Sequence, residues 1–523
     1  MNKSQRFTTV TALIVALGGF LMGFDASVIS GVVTFIGPEF GLTKIELGWS
    51  VASLALTATF AMMVAGPLSD KFGRKPVLRV AAVLFAVSAL ASALAPSFVA
   101  LVAARMIGGL GVGAALIIAP MYIAEISPPA IRGRMVSFNQ LNIVIGISVA
   151  FFTNYLILKL GQSQASWAIA LHLGEWNWRW MLGLEILPAV LYFFCLYLVP
   201  ESPRWLLMNN REEEARNVMS KFSDASQAEK DIEVIRASVQ AVGSGDAINK
   251  PTLADLFKKP MRLVLAIGLT VAVLQQITGI NSVFFYAPMI FEQSGIGTDA
   301  AFMQAIGVGL TNLVFTLIAM ALIDRLGRKP ILIFGVTGIA LFMFLLAYGF
   351  NSATYTLTAE SIAGLSAGID QNLLLPLLDS TFHSDVAFKQ AIGESLGTNS
   401  LQNFESELIS AAITMNPTLI LVGILGFVAS FAVSVGPVMW VLFAELFPNR
   451  IRGIAISFVG LVNSAVSFLV QLVFPWQLAN IGNAGTFFIY GLFAVIGLLV
   501  IARLLPETKG KSLEEIEELL VAT

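Results

Sequence analysis

Cysteine occurs once in these 523 residues, at Cys195, and histidine twice, at His172 and His383. One thiol cannot close an intrachain disulfide, and two scattered imidazoles do not suggest a metal site, so no metal is expected. Charge is equally scarce. Only 12% of residues are Asp, Glu, Lys or Arg, against roughly 25% in soluble domains, and the formal net charge of −2 gives no case for nucleic acid. No Walker-type loop occurs, so a nucleotide-driven pump is excluded, and any energy used must come from an ion gradient. No nucleophile–base pair stands out either, which argues against a membrane-embedded enzyme, and no cofactor is expected. The stretch "GGLGVGA" at 108–114 superficially resembles a dinucleotide-binding turn. It lies in an apolar run with no strand before it, and small residues there predict close approach of the fourth and fifth spans.

What is present is hydrophobicity: 57% of the chain, in long runs. A membrane helix needs about 20 mostly apolar residues. Twelve segments qualify, centred near 20, 58, 87, 112, 147, 189, 275, 313, 340, 430, 464 and 495. The basic tip and apolar core of the N-terminus imitate a signal peptide, but span follows span, so this stretch reads as the first helix. Lys and Arg in the loops set the orientation. "DKFGRK" (70–75), "IRGR" (131–134), "DRLGRK" (324–329) and the 200–262 segment, with ten Lys/Arg, are basic. The loop 160–176 has none, and 351–416 has only Lys389 against seven acids. Both termini are therefore expected in the cytoplasm of a cell whose plasma (inner) membrane holds the chain. The 200–262 segment reads as short amphipathic cytosolic helices ("REEEARNVMSKF") with a flexible "VGSGDA" joint.

The chain also repeats itself. "GPLSDKFGRKP" at 66–76 returns as "MALIDRLGRKP" at 320–330, which places Arg74 and Arg328 in correspondence, 254 residues apart. "AEISPPAIRG" at 124–133 returns as "AELFPNRIRG" at 444–453, with Glu125 and Glu445 320 apart, and "PESPRW" at 200–205 is echoed by "PETKGK" at 506–511. Three motifs repeated in order are the mark of a duplicated transporter. The offset grows by 66 between the first two motifs, which places an insertion in the second half near 351–417. It looks acidic and partly helical, in patches such as "QNLLLPLLDSTF" and "LQNFESELISAA"; a lid, a partner surface or a neutral insertion all fit. The expected architecture is an all-α integral membrane protein, 12 transmembrane helices in two pseudo-symmetric six-helix bundles. Residues 1–200 form the first, 201–260 a cytosolic helical linker, and 261–523 the second. In the repeated loops a glycine makes a tight turn, and opposite charges at helix ends link neighbouring helices as a breakable gate: Asp70, Arg74, Glu125, Arg132 and Glu201 in one half, Asp324, Arg328, Glu445, Arg452 and Glu507 in the other. The plainer reading of any one copy is a topology signal with solvated charges.

Three charged residues sit inside spans: Asp25 in "GGFLMGFDASVISG", Arg105 in "AARMIGGLG" and Glu185 in "MLGLEILP". A charge at a helix centre costs about 2.5–3.5 kcal/mol on insertion scales and usually marks an ion or substrate path. A carboxylate beside Arg105 stays ionised. If Arg105 moves away or turns to Glu185, burial penalises the charge and the carboxylate takes a proton. The plainer reading is a static ion pair holding the first bundle together.

At these motifs the chain resembles the sugar porter family of the major facilitator superfamily. The GRKP-type loops mark the superfamily; "PESPRWL", "PETKG" and "QQITGIN" (275–281) are more specific, and the resemblance covers the chain outside 351–417. It implies two bundles rocking about a central sugar site. Matched motifs imply Gln140 ("SFNQL"), Gln275, Gln276 and Asn281 ("QQITGIN"), Asn312 ("GLTNLVFT") and Asn463 as sugar hydrogen-bonding residues, and Trp440 ("GPVMW") as an apolar platform. Neutral amides suit hydroxyls, which donate and accept, and an aromatic face suits the C–H side of a sugar ring. A single buried amide is as readily an interhelical hydrogen bond. Ser464 stands where the family commonly has Trp, and Phe285 replaces the usual first Tyr of its motif, leaving the hydroxyl of Tyr286. Ile147 and Phe284 resemble glucose-type rather than xylose-type porters, so a hexose is the first expectation. The helix 1 Asp and helix 4 Arg resemble those of proton-coupled members, so sugar and proton are the expected substrates, carried by a monomer in contact with membrane lipid. A facilitative sugar, polyol or inositol carrier is the alternative. A non-transporting sugar sensor is more remote, since the segment after Pro506 is short.

Overall fold

The computed structural model describes residues 3–128, 131–222, 229–230, 232–233, 236, 252–448, 451–509 and 515. The "VGSGDA" joint and the side chain of Asp324 lie outside the described residues. Among the described residues, twelve helices are long and apolar enough to cross a membrane, numbered here as spans 1 to 12: Ser4–Phe40, Lys44–Phe72, Arg74–Ala93, Phe98–Ile126, Arg132–Gly161, Asn177–Cys195, Lys259–Glu292, Thr298–Ile323, Arg328–Asn351, Pro417–Phe443, Arg452–Asn480 and Gly482–Leu504. Lipid offers no hydrogen bonds, so each apolar run closes its backbone bonds internally as a helix. The chain is a multi-pass membrane protein.

Three spans are interrupted where the sequence cannot continue a helix. Span 6 breaks at Leu184–Glu185 into Asn177–Gly183 and Ile186–Cys195, just ahead of Pro188, which has no N–H to give. Span 7 breaks at Gly279, whose φ of 87° is left-handed, and bends again at Tyr286 ahead of Pro288. Span 10 breaks at Ser434, between Pro417–Val433 and Val435–Leu446. Discontinuous helices free backbone groups at mid-depth, where transporters build their sites.

The chain divides into two compact units, Met1–Ser27 with Ser53–Ala150 and Arg179–Lys250, and Val28–Ala52 with Phe151–Trp178 and Pro251–Thr523. The first has a core of Ala12, Leu54, Phe85, Val112, Ile118, Tyr122 and Tyr192. The glycines of span 4 do not serve span 5, contrary to the sequence expectation. Gly109 and Gly113, four residues apart, face the carbonyls of Leu54 and Ala58 on span 2, while Gly108 and Gly111 face Ser88 and Ala81 on span 3. The two spacings put two smooth stripes on adjacent faces of one helix. Span 5 packs instead on span 1, with Gly146 against the Phe20 carbonyl and Gly23 against that of Ile143. Helices Pro203–Met208 and Glu212–Phe222 follow span 6, as the amphipathic pattern predicts.

The second unit contains the insertion, a small folded module. Strands β1 (Thr354–Thr356), β2 (Thr381–Phe382) and β3 (Ile413–Thr414) pair in the order β2–β1–β3. Helices Asp385–Leu396 and Thr398–Ala412 enclose a core of Tyr355, Leu374, Phe388, Ile392 and Leu408. "QNLLLPLLDSTF" is not the helix its leucines suggest. It is a 3₁₀ turn, Gln371–Leu377, that contains Pro376 and runs on to β2.

A methyl group at Gly23 would lie 2.0 Å from the Ile143 carbonyl oxygen, whereas one at Gly37 meets nothing within 4 Å. Gly23→Ala should therefore lower the thermal unfolding midpoint in detergent, at a cost of about 1–3 kcal/mol. Gly37→Ala should leave it unchanged or raise it, since alanine is the better helix former.

Candidate functional site

The repeated loops build the same cluster twice. Gly73 (φ 105°) and Gly327 (φ 93°) turn the chain from one span into the next. At the first, Arg74 is 3% exposed; its Nε and Nη2 donate to Glu125 at 3.1 and 2.9 Å, and its Nη1 to Asp70 at 2.7 Å. Glu201 accepts the backbone N–H groups of Arg74 (3.1 Å) and Lys75 (3.2 Å), capping span 3, and the Ser202 hydroxyl donates to Glu125. In the second half Arg328 Nη2 donates to Glu445 at 2.8 Å, Glu507 accepts the N–H groups of Arg328 and Lys329 at 3.1 and 3.0 Å, and the Thr508 hydroxyl donates to Glu445 at 2.6 Å. Burial pushes the Glu201 carboxyl above its ordinary value against the pull of the Ser202, Lys75 and Arg74 amides. At Glu507 burial acts the same way, but the amides of Lys509, Arg328 and Lys329 outweigh it and hold the carboxyl low. Among the described residues, Arg132 and Arg452, expected to join these ion pairs, form none and donate to the carbonyls of Ser127 (3.4 Å) and Phe447 (3.1 Å). They close helix ends, because each follows a turn that leaves those carbonyls free.

Deeper in the first unit, Arg105 and Asp25 form a buried pair, Nη1 to Oδ1 at 3.4 Å, with side chains 1% and 3% exposed. Among the described residues Asp25 Oδ2 has no hydrogen-bond partner, and Gly108 lies so close that a Cβ there would come within 2.7 Å of it. Glu185, at the break of span 6, is 2% exposed, lies in electrostatic reach of both, and leaves its Oε1 without a hydrogen-bond partner among the described residues. One cation therefore faces two carboxylates, so the set is short of a positive charge or a proton. The structure brings together the three charges singled out from the sequence.

In the second unit an amide network spans the break of span 7. Asn463 Nδ2 donates to Gln275 Oε1 (2.8 Å) and to the Ala272 carbonyl (2.9 Å), and its Oδ1 accepts Gln276 Nε2 at 3.2 Å. Asn281 Nδ2 donates to Gln276 Oε1 and to Ser467 Oγ, each at 2.8 Å. Gln471 Nε2 donates to the same Ser467 hydroxyl at 2.8 Å. Ser467 and Gln471 were not anticipated. Their signal is a polar residue every fourth position of an apolar span: Asn463, Ser467, Gln471. The Tyr286 hydroxyl is committed to the Gln471 carbonyl at 3.1 Å. Asn312 is buried on span 8. Trp440 is half exposed and meets Phe443 edge-on. Gln140 is exposed in the first unit, while its neighbour Asn139 is buried beside Gly19.

Twelve apolar helices, buried ionisable groups at mid-span, broken helices and twin loop motifs define a secondary transporter. The family described as "Sugar (and other) transporter" matches residues 11–369 and 405–520. The arabinose-proton symporter of Bacillus subtilis is 33% identical over 524 residues, covering 99% of this chain and 96% of its own. The glucose transport protein of Synechocystis sp. is 32% identical over 518 residues, covering 98% of each chain. Among solved structures, the proton:xylose symporter XylE of E. coli, bound to 6-bromo-6-deoxy-D-glucose, superposes with a TM-score of 0.69 at 32% identity, covering 99% of this chain and 100% of that one. The chain belongs to the sugar porter family of the major facilitator superfamily; it is a sugar transporter and not an enzyme.

The two clusters differ in burial: Arg74 and Glu125 are 3% and 8% exposed, Arg328 and Glu445 13% and 22%. Removing one partner of a buried pair costs about 3–5 kcal/mol, and less where water can replace it. Arg74→Ala should therefore lower the unfolding midpoint more than Arg328→Ala. Equal losses would show that the burial difference is without consequence.

Proposed function

We propose that this transporter imports a monosaccharide together with a proton, by alternating access, with the basic loops and both termini in the cytoplasm. Residues 1–200 and 261–523 act as the two working halves and 201–260 as the linker. The observation that carries the proton is the buried Asp25–Arg105 pair with its unpartnered Oδ2 and with Glu185 nearby. While Arg105 faces Asp25 the carboxylate is neutralised. When Arg105 turns to Glu185, Asp25 is left in apolar surroundings, where a proton must replace the lost cation. The proton thus exchanges for a salt-bridge contact, and its binding is linked to a rearrangement of spans 1, 4 and 6. The name of the arabinose-proton symporter supports the same coupling.

The sugar is proposed to bind at Gln275, Gln276, Asn281 and Asn463, with Gln140 and Asn312 as further hydrogen-bonding residues and Trp440 as the apolar platform. The amides hydrogen-bond one another, so hydroxyls can replace amide partners without leaving a buried polar group unmet. Ser467 joins this set as the hydroxyl that holds Asn281 and Gln471 in register. Ile147 and Phe284, which resemble glucose-type porters, favour a hexose over a pentose. Ser464, in place of the family's usual Trp, leaves the span 11 side of the pocket less crowded. The repeated clusters around Arg74 and Arg328, including Asp70, Glu125, Glu201, Asp324, Glu445 and Glu507, serve the cytoplasmic gate, with Arg132 and Arg452 shaping its helix ends.

Counterflow in proteoliposomes against a sugar panel, repeated under an inward proton gradient, tests both parts. A hexose is expected to support the fastest counterflow, and the gradient to drive its accumulation. Asp25→Asn should abolish gradient-driven accumulation, by about ten-fold or more, while counterflow persists, because a proton-carrying residue is needed only for coupling. Uptake indifferent to the gradient in the unaltered protein would contradict the coupling; a pentose as the best substrate would contradict the hexose assignment. Ser464→Trp should narrow the panel by excluding the largest sugars that counterflow.

A further inference from the structure

One charged cluster is used by none of these steps. Glu405, on the insertion helix Thr398–Ala412, is 16% exposed and accepts Lys44 Nζ on Oε2 at 2.7 Å and Lys389 Nζ on Oε1 at 3.0 Å. Lys389 Nζ also donates to Gln293 Oε1 at 3.0 Å, just past span 7, and Gln293 Nε2 donates to Glu405 Oε1 at 3.3 Å. Asp385 accepts the backbone N–H and the Nδ2 of Asn483, at the start of span 12, at 3.1 and 2.7 Å. Beneath these contacts lies a cavity of about 110 Å³ lined by Thr34, Lys44, Glu292, Gln293, Lys389 and Glu405. Glu292 is 2% exposed, and its Oε1 has no hydrogen-bond partner among the described residues.

The two kinds of contact differ in strength. The insertion is fastened to the second half of the sequence, at spans 7 and 12, through Asp385, Asn483, Lys389 and Gln293, all 9% exposed or less. An ion pair ties it to the first half at the start of span 2 through Lys44, whose side chain is 33% exposed. Buried, hydrogen-bonded polar contacts persist, whereas a part-exposed ion pair is worth little and exchanges readily with water. Alternating access requires contacts between the halves that break once per cycle. We propose that the insertion is a working part of the outer gate, with Glu405 as the latch that clasps Lys44 when the outer side is closed and releases it when that side opens. A second tie at the same face, Lys159 Nζ to Asp299 at 2.5 Å with Gln162 Nε2 to Asp299 at 2.8 Å, likewise joins a first-half span to a second-half one through exposed side chains. Burial disfavours the charge of Glu405, but Lys389 and Lys44 outweigh it and hold the carboxyl well below the usual carboxylate range. Clasped between the two lysines, the latch is held in its charged form.

The proposal rests on the alternating-access reading, and its test separates the two. In a Cys195→Ser background, Lys44→Cys/Glu405→Cys is bridged in proteoliposomes with a short bis-methanethiosulfonate reagent. Unbridged, the variant should carry sugar, which bears on the transport reading alone. Bridging should cut counterflow at least about ten-fold, and reductant should restore it, because an outer gate that cannot open halts the cycle. Bridging Gln390→Cys/Glu394→Cys, an exposed pair within one insertion helix, should change nothing. Undiminished counterflow in the bridged Lys44→Cys/Glu405→Cys protein overturns the latch. An independent measurement covers an unbridged variant that does not carry sugar. Lys44→Ala should raise several-fold the rate at which an impermeant maleimide labels Thr34→Cys from outside, and an unchanged rate overturns the proposal equally.

Discussion

Burying a charge in apolar surroundings is tolerable only when an opposite charge meets it. Three of the arginines in the spans of this chain show this constraint. Arg74 is met by Glu125 and Asp70, Arg328 by Glu445, and Arg105 by Asp25. The first two sets also accept backbone N–H groups and hydroxyls, so their charges are met from several sides. The Asp25 set differs. Its distance is longer, one carboxylate oxygen is unpartnered, and a second carboxylate lies within reach of the same guanidinium. An unsaturated arrangement of this kind is poorly suited to holding a bundle together and well suited to exchanging a proton.

The repeat extends to single atoms. Glu201 and Glu507 accept the same pair of amides, and Ser202 and Thr508 fill the same hydroxyl position against Glu125 and Glu445. Sites in duplicated transporters form where the halves diverge. Here the first half carries the Asp25, Arg105 and Glu185 set, and the second the amides of span 7 and the polar stripe Asn463, Ser467 and Gln471 of span 11. On the proposed reading the charges of the first half serve the proton, and most of the sugar contacts come from the second. The insertion adds a third element, anchored to the second half through buried amides and a carboxylate.

Much of this was legible in the residues. Apolar runs of membrane length located all twelve spans, since a helix is the only structure such a run adopts in lipid. Repeated loops identified Arg74, Glu125 and Glu201 with their counterparts because a motif recurring in order marks one structural role. Three things were less legible. The glycines of span 4 gave no partner, because spacing shows which faces are smooth but not which helices they meet. Ser467 and Gln471 were missed, since a hydroxyl or amide every fourth residue is a weak signal until Asn463 shows the face it belongs to. The outer cluster was hidden altogether: Lys44, Gln293, Lys389, Glu405 and Asn483 are far apart in the chain and belong to no repeated motif.

The account turns on Asp25 carrying a proton in step with the sugar. The most direct measurement is external pH in a lightly buffered, de-energised suspension of proteoliposomes as the sugar is added. Downhill sugar influx should alkalinise the medium with the unaltered protein and should leave the pH flat with Asp25→Asn. Sugar influx through the unaltered protein with no change in external pH would contradict it.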